Sequence, residues 1–432
     1  MNQKILRLAI PSIISNITVP LLGIVDMAIV GHLGDKSYIG AIAIGSMIFN
    51  IIYWNFGFLR MGTSGITAQA YGQRDFDEIV RILVRSVAVG LFIAFVLLVL
   101  QFPLARSVFY FLKAGEEVEQ NASIYFFIGI WGAPAVLGLY GLKGWFIGMQ
   151  NSRFPMYIAI VINCVNIVCS LFFVYVLHMK VDGVALGTLI AQYFGLFMAM
   201  ILWILYYGRF RKRIHVRESL RLDRMKRFFV VNRDIFFRTL CLVAVTSFFT
   251  STGAAMGDDV LAVNTLLMQL FTLFSYVMDG FAFAGEALTG RYIGAKAQPL
   301  LKRSIRLIFY WGGGLALFFT LLYAFWGDLF LQLLTDNEEV LTLSANYIYW
   351  VLAVPLTGFT AFLWDGIYVG ATASKEMSRA MFIATSSFFI TYFIGSPYCG
   401  NHALWISFLL YLSLRGIMMS VWAKKAVYRR CE

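Results

Sequence analysis

Asp26 is the residue whose type and setting most invite chemistry. It lies near the far end of an apolar run at about 5–31. About twenty apolar residues cross a bilayer, and a carboxylate inside such a span costs several kcal/mol unless it faces water or protein. An acid held there can exchange a proton or attract a cation. The same run contains Pro11 and Pro20. Each removes a backbone donor, so the run is expected to be a bendable membrane helix. The plainer reading is an interfacial acid near headgroup water, because Gly31-His32-Leu33-Gly34-Asp35-Lys36 follows closely.

Further charges sit in or beside apolar runs of the second half, namely Arg233, Asp234, Arg238, Asp279, Glu286 and Asp365, and Lys143 lies in the first half. The favoured reading of Arg233, Asp234 and Arg238 is pairing at the cytoplasmic start of a helix. For Asp279, Glu286 and Asp365, a C-lobe polar network or cation site and simple structural pairing both stay open. Lys143 either complements a negative group or snorkels to the interface.

Enzyme chemistry finds no support. The four histidines, His32, His178, His215 and His402, are scattered, and no HExxH, Walker or G-x-S-x-G pattern occurs. Lack of an ATP-binding motif argues against primary transport by this chain alone. The five cysteines are unpatterned, so neither a disulfide framework nor a zinc site is expected. No metal or organic cofactor is implied.

These groups must be positioned by membrane helices. With 60% hydrophobic and 13% charged residues, the chain lies far from the usual soluble composition of about 45–50% apolar and about 25% charged. Apolar runs fall at about 5–31, 37–67, 79–104, 121–148, 154–177 and 183–208, then at about 233–255, 259–290, 303–328, 341–370, 377–399 and 402–423. The fold expected is an all-α polytopic membrane protein of about twelve transmembrane helices in two pseudo-symmetric six-helix lobes. The N-lobe is 1–208, a basic connector 209–232, and the C-lobe 233–432. Met1 to Arg7 and the following run start like a signal peptide, but no small-x-small cleavage site follows and the run is too long.

If each run crosses once, the basic residues gather on one side. The connector is rich in arginine, and Arg74, Arg81, Arg85, Arg153, Lys296, Lys302, Lys375, Lys424 and Arg429 fall with it. Opposite connections carry acids such as Asp35, Glu116, Asp258, Asp336 and Glu338. The positive-inside rule then puts both termini in the cytoplasm, with the chain in the plasma (inner) membrane. A net charge of +12 is explained by a basic face on anionic lipid, and nucleic acid is not expected as a partner.

The halves repeat. Lys143-Gly144 through Gly148 matches Asp365-Gly366 through Gly370, each followed by Ser and a basic residue, with Pro134 and Pro355 upstream. Gly34-Asp35, Gly57, Gly62 and Tyr71-Gly72 pair with Gly257-Asp258, Gly280, Gly285 and Ile293-Gly294. Six crossings per half give parallel repeats, an arrangement in which many transporters bind substrate between halves that rock.

The blocks together resemble the multidrug and toxic compound extrusion (MATE) family, in its DinF-like branch, over essentially the whole chain. They include Val25-Asp26 leading into Gly31-His32-Leu33-Gly34, Gly72-Gln73-Arg74, Lys143-Gly144 through Gln150, Asn166-Ile167-Val168, Gly183-Val184-Ala185-Leu186 and Asn232 through Arg238. Asp279-Gly280-Phe281-Ala282, Glu286-Ala287-Leu288 and Asp365-Gly366 continue the likeness. It implies two six-helix lobes in a V around a cleft. It gives Asp26 the role of the first-helix acid whose protonation is coupled to substrate release, and Pro11 that of the bend. Asn166 and Thr188 would line the same cavity. Relatives often carry an Asp where this chain has Ser170, so a two-acid cation cage in this lobe is doubtful. Asn166 and Ser170 still share a helix face.

The function this implies is secondary antiport exporting amphipathic, cationic organic compounds against proton influx, by a chain working as a monomer. A sodium-coupled exporter and a lipid-linked precursor flippase are the alternatives. Single acidity in the N-lobe favours the proton, since sodium wants several oxygens and more than one negative charge. The C-lobe acids are the main route by which sodium could enter.

Overall fold

In a computed structural model the described residues are 1–31, 36–112, 115–335 and 337–432. Among them every regular element is helical. Inside hydrocarbon no water satisfies backbone groups, so an apolar run must close its hydrogen bonds within itself, and only the helix does that segment by segment. The first half comprises α1 (Asn2–Gly31), α2 (Lys36–Asn55), α3 (Phe58–Gln73), α4 (Phe76–Val99), α5 (Gln101–Leu112), α6 (Glu116–Gly129), α7 (Ala133–Gly148), α8 (Arg153–Leu171) and α9 (Val181–Tyr207). The connector contains the short α10 (Val216–Ser219). The second half holds α11 (Leu222–Ala255), α12 (Asp258–Gly294), α13 (Gln298–Leu334), α14 (Glu338–Ser344), α15 (Ile348–Gly370), α16 (Ser374–Cys399) and α17 (Asn401–Ala426). Among the described residues, 10 helical spans are long and apolar enough to cross a membrane. The helices α1 and α11, of 30 and 34 residues, lie at the first and seventh expected runs.

The chain packs as two compact units, Met1–Ile13 with Val230–Glu432 (the C-unit) and Ile14–Phe229 (the N-unit). Division by repeat gave 1–208 and 233–432; division by packing hands the first turns of α1 to the second half. The reason is a close fit inside the C-unit: a Cβ on Gly280 of α12 would stand 3.0 Å from the carbonyl oxygen of Ala9. Pro11, buried, sits just before the changeover within α1.

The repeat is written in backbone geometry. A side chain on Gly144 would strike the carbonyl of Arg60, and one on Gly366 the carbonyl of Ala282. A turn on, Gly148 abuts Ser64 and Thr67, as Gly370 abuts Glu286 and Gly290. Left-handed backbone recurs at the same places, at Arg74 (φ 60°) and Lys296 (φ 52°), and at Gln150 (φ 64°) and Thr372 (φ 52°). Except for Thr67 and Gly290, one place apart, these pairs obey one constant shift along the chain, which also relates Tyr71-Gly72 to Ile293-Gly294 and Ser152 to Ser374. Gly57 and Gly62 do not obey it: they fall opposite Asp279 and Ala284, one place from the glycines with which the sequence aligned them. Counting glycines in apolar sequence cannot resolve a single-residue slip, whereas backbone contact can. Gly34 and Asp35 lie outside the described residues.

The basic connector is docked onto the N-unit. Arg213 Nη1 pairs with Asp77 at 2.7 Å and Arg81 Nη2 with Glu218 at 3.2 Å. Arg85, 3% exposed, donates from Nε to the carbonyl of Ser219 at 2.8 Å and from Nη1 to Glu78 at 2.7 Å. One of the expected surface charges is thus a buried tie between α4 and the connector.

Candidate functional site

The N-unit assembles Asp26 with polar side chains from α8 and α9. Asp26 is 3% exposed, and its Oδ1 is buried with no hydrogen-bond partner among the described residues. The polar groups facing its carboxyl are Thr188, Asn166 and Ser170. Asn166 and Ser170, one turn apart on α8, are both fully buried, and Asn166 donates from Nδ2 to Thr188 Oγ1 at 2.8 Å. Asn166 Oδ1 and Ser170 Oγ are likewise buried without a partner among the described residues. A buried oxygen left so costs about 1–3 kcal/mol, so the cluster is suited to a proton, an ion or a ligand group.

Why α8 and α9 meet here is visible in Gly187. A Cβ at that position would stand 2.6 Å from Ser170 Oγ and 2.9 Å from the Ser170 nitrogen. A small residue on each helix therefore permits the approach that brings Thr188 to Asn166.

The C-terminal half of α1 is tied to α8 and the turn that follows it, on both sides of Asp26. Asn163 Nδ2 donates to the carbonyl of Thr18 at 2.6 Å, and Tyr175 Oη to that of Ile29 at 3.4 Å. Tyr175 belongs to a π-helical turn, Phe172–Val176, that follows α8. Such turns collect at functional sites because they re-aim side chains within a helix. Ile29 joins an apolar cluster with Ile42, Ala122, Tyr125 and Val184. Tyr125 faces both Asp26 and Thr188, and its ring lies 6.1 Å from that of Phe49.

The C-unit has a different polar centre. Asp365 Oδ2 accepts from Arg415 Nη2 at 3.0 Å and pairs with Arg238 Nη2 at 3.6 Å. Arg415 is 2% exposed and lies over the rings of Phe362 and Tyr411 at 5.4 and 5.7 Å. Asp279 acts on the same guanidinium. Asp365 is thus neutralised by arginine, which makes its surroundings a charge-paired network and a poor cage for a bare cation. Glu286, 1% exposed, lies about two turns further along α12. Of the trio read as a helix-start cluster, Arg233 Nη2 pairs with Asp234 at 3.2 Å, and Ser374 Oγ donates to Asp234 at 3.0 Å. Arg238 departs from that reading and reaches Asp365. Lys143 keeps Arg60 as its charged neighbour, across the α3–α7 contact at Gly144.

Sequence reasoning missed Arg415, Asn163, Tyr125 and Tyr175. Arg415 carried a legible signal, an ion within the last apolar run, by the same rule that singled out Asp26. The other three carried none, because asparagine and tyrosine in apolar runs are ordinary.

The MatE family model matches residues 11–172 and 235–395, one segment in each half. The chain is 35% identical to DNA damage-inducible protein F of Escherichia coli, over 99% of this chain and 92% of that protein. It superimposes with a TM-score of 0.89 on a MATE crystal structure in the bent conformation, at 19% identity over 99% of this chain and 96% of that one. A MATE family transporter of the MOP superfamily in an outward-facing conformation gives 0.85, at 19% identity and the same coverage. Two matching half-chain segments around a repeated glycine-packed core, and a near full-length relative, make this multi-pass membrane chain a member of the MATE family, and so a transporter rather than an enzyme.

Proposed function

We propose that this chain is a secondary antiporter that exports amphipathic, cationic organic compounds and is driven by proton influx through Asp26. The observation that carries the reading is the company Asp26 keeps. Among the described residues its buried carboxyl faces neutral groups, the side chains of Thr188, Asn166, Ser170 and Tyr125. A proton needs one carboxylate, whereas a dehydrated sodium ion prefers several oxygens and more than one negative charge. In the cycle, ionised Asp26 attracts a cation beside the Tyr125 and Phe49 rings, whose faces add a cation–π attraction. Protonation cancels the charge, and the cation leaves. Asn166 and Thr188 hold the vacated oxygens in register for the next deprotonation, and Pro11 supplies compliance in α1.

Sodium is the second reading, and one observation favours it: Asp26 Oδ1, Asn166 Oδ1 and Ser170 Oγ are three buried oxygens without partners among the described residues. The membrane placement in this proposal is the plasma membrane with both termini cytoplasmic, supported by the basic residues at one class of helix ends, and the working unit is a monomer. The deciding experiment is dye efflux from proteoliposomes with either a pH or a sodium gradient imposed. Efflux driven by the pH gradient in sodium-free buffer is expected. Efflux driven by sodium at symmetric pH, and indifferent to protons, overturns the proton assignment.

A further inference from the structure

Within the C-unit, two cavities meet at Tyr310 along the outer face of α13. One, of about 400 Å³, is lined by Lys302, Arg306, Trp364 and Tyr428; the other, of about 510 Å³, by Asn2, Trp311 and Gly314. Together they form a groove that is cationic at one end and apolar at the other.

We propose that this groove is a saturable site for one anionic phospholipid, its headgroup phosphate on Lys302 and Arg306 and one acyl chain along Tyr310 and Trp311 toward Gly314. Lys302 and Arg306 are one helical turn apart, so their heads share a face. Both are exposed, and among the described residues neither has a carboxylate within ion-pair distance. Arg306 also lies close to the Tyr428 hydroxyl, a second donor at the headgroup position. Guanidinium and ammonium side by side suit a phosphate better than a zwitterion's balanced charge.

From the cationic pair toward Gly314 the groove is walled by rings. Phe309 and Trp364 stand 5.0 Å apart, and Trp364 commits its indole N–H to Ser420 at 2.7 Å, leaving its ring as apolar wall. Trp311 is braced by Phe281 at 6.2 Å, while Tyr310 is 69% exposed. Beyond them, Gly312-Gly313-Gly314 interrupts a helix interior, where each glycine costs roughly 1 kcal/mol relative to alanine. Gly312 earns its place by packing against Leu363, but a Cβ on Gly314 would touch nothing within 4 Å. Gly314 therefore leaves a channel rather than permitting a contact. From Lys302 to Gly314 the helix rises about 18 Å, close to the roughly 15 Å of one leaflet's hydrocarbon. A free phosphate would use only the first few ångströms of such a groove.

The test is native mass spectrometry of the full chain, titrated with phosphatidylglycerol or with phosphatidylcholine of the same acyl chains. One phosphatidylglycerol retained in preference to phosphatidylcholine is expected. The double variant Lys302→Gln/Arg306→Gln should lose that preference by about thirtyfold, the order expected for two basic groups near an anionic headgroup. Gly314→Leu should weaken retention of both lipids while leaving the preference intact. Equal retention of the two lipids by the parent chain, no change in the double variant, or displacement of phosphatidylglycerol by inorganic phosphate alone would each overturn the proposal. All three positions face outward, and melting temperatures within a few degrees of the parent show that folding is not what changed.

Discussion

Asn166 donates from Nδ2 to Thr188 Oγ1 at 2.8 Å, and both residues face the carboxyl of Asp26. The amide carries two N–H donors, so it can serve Thr188 and the acid together. With the Ser170 hydroxyl they surround a single acid with neutral polar groups.

Asp26→Asn removes the titratable group and keeps the shape. Coupled efflux should be abolished while expression and melting temperature stay near the parent values. Asp26→Glu should restore part of the coupling, since the acid survives displaced by one methylene. Efflux by Asp26→Asn that still responds to an imposed pH gradient, at normal expression, removes Asp26 from the mechanism.

Thr188→Val deletes the acceptor of the Asn166 amide. The stranded donor should cost about 1–3 kcal/mol of stability. It should also move the pH at which efflux is half-maximal, because the lost hydroxyl faces the Asp26 carboxyl. Thr188→Ser keeps the hydroxyl and should behave as the parent. A valine variant with an unshifted pH profile shows that the hydrogen bond is structural only.

Gly187→Ala and Gly366→Ala test one packing rule at two places. Each introduces a methyl against a neighbouring helix, Ser170 of α8 in one case and the Ala282 carbonyl of α12 in the other. Overpacking of this kind costs about 1–3 kcal/mol. Both should lower the melting temperature, but only Gly187→Ala should also disturb coupling, because only it displaces a residue facing Asp26. Gly314→Ala, in open space, is the control and should be neutral or slightly stabilising.

Arg415→Met leaves Asp365 with Arg238 alone, at 3.6 Å. Removing one partner of a buried pair costs about 3–5 kcal/mol, since a buried charge is left undercompensated. The double variant Arg415→Met/Asp365→Leu should recover part of that loss, as measured by thermal unfolding in detergent. If the two substitutions simply add, the pair is not coupled and the network reading fails.

The order of apolar runs, the two-fold repeat and the prominence of Asp26 were legible in the chain because each rests on local physics. A bilayer demands runs of a set length, a duplicated half keeps its glycines, and an ion in hydrocarbon is conspicuous whatever surrounds it. The exact repeat register was not legible, since only the approach of Gly144 to Arg60 and of Gly366 to Ala282 distinguishes a match from a slip of one. Nor could sequence say that Asp365 is neutralised by Arg415 and Arg238, or that Arg85 is buried beneath the connector. Those are long-range pairings between helices far apart in the chain, and a charged residue carries no mark of which partner it will meet. The same holds at Asp26. Sequence placed the acid and the shared face of Asn166 and Ser170, while the packing of Gly187 against Ser170 determined that Thr188 would meet the Asn166 amide beside the acid.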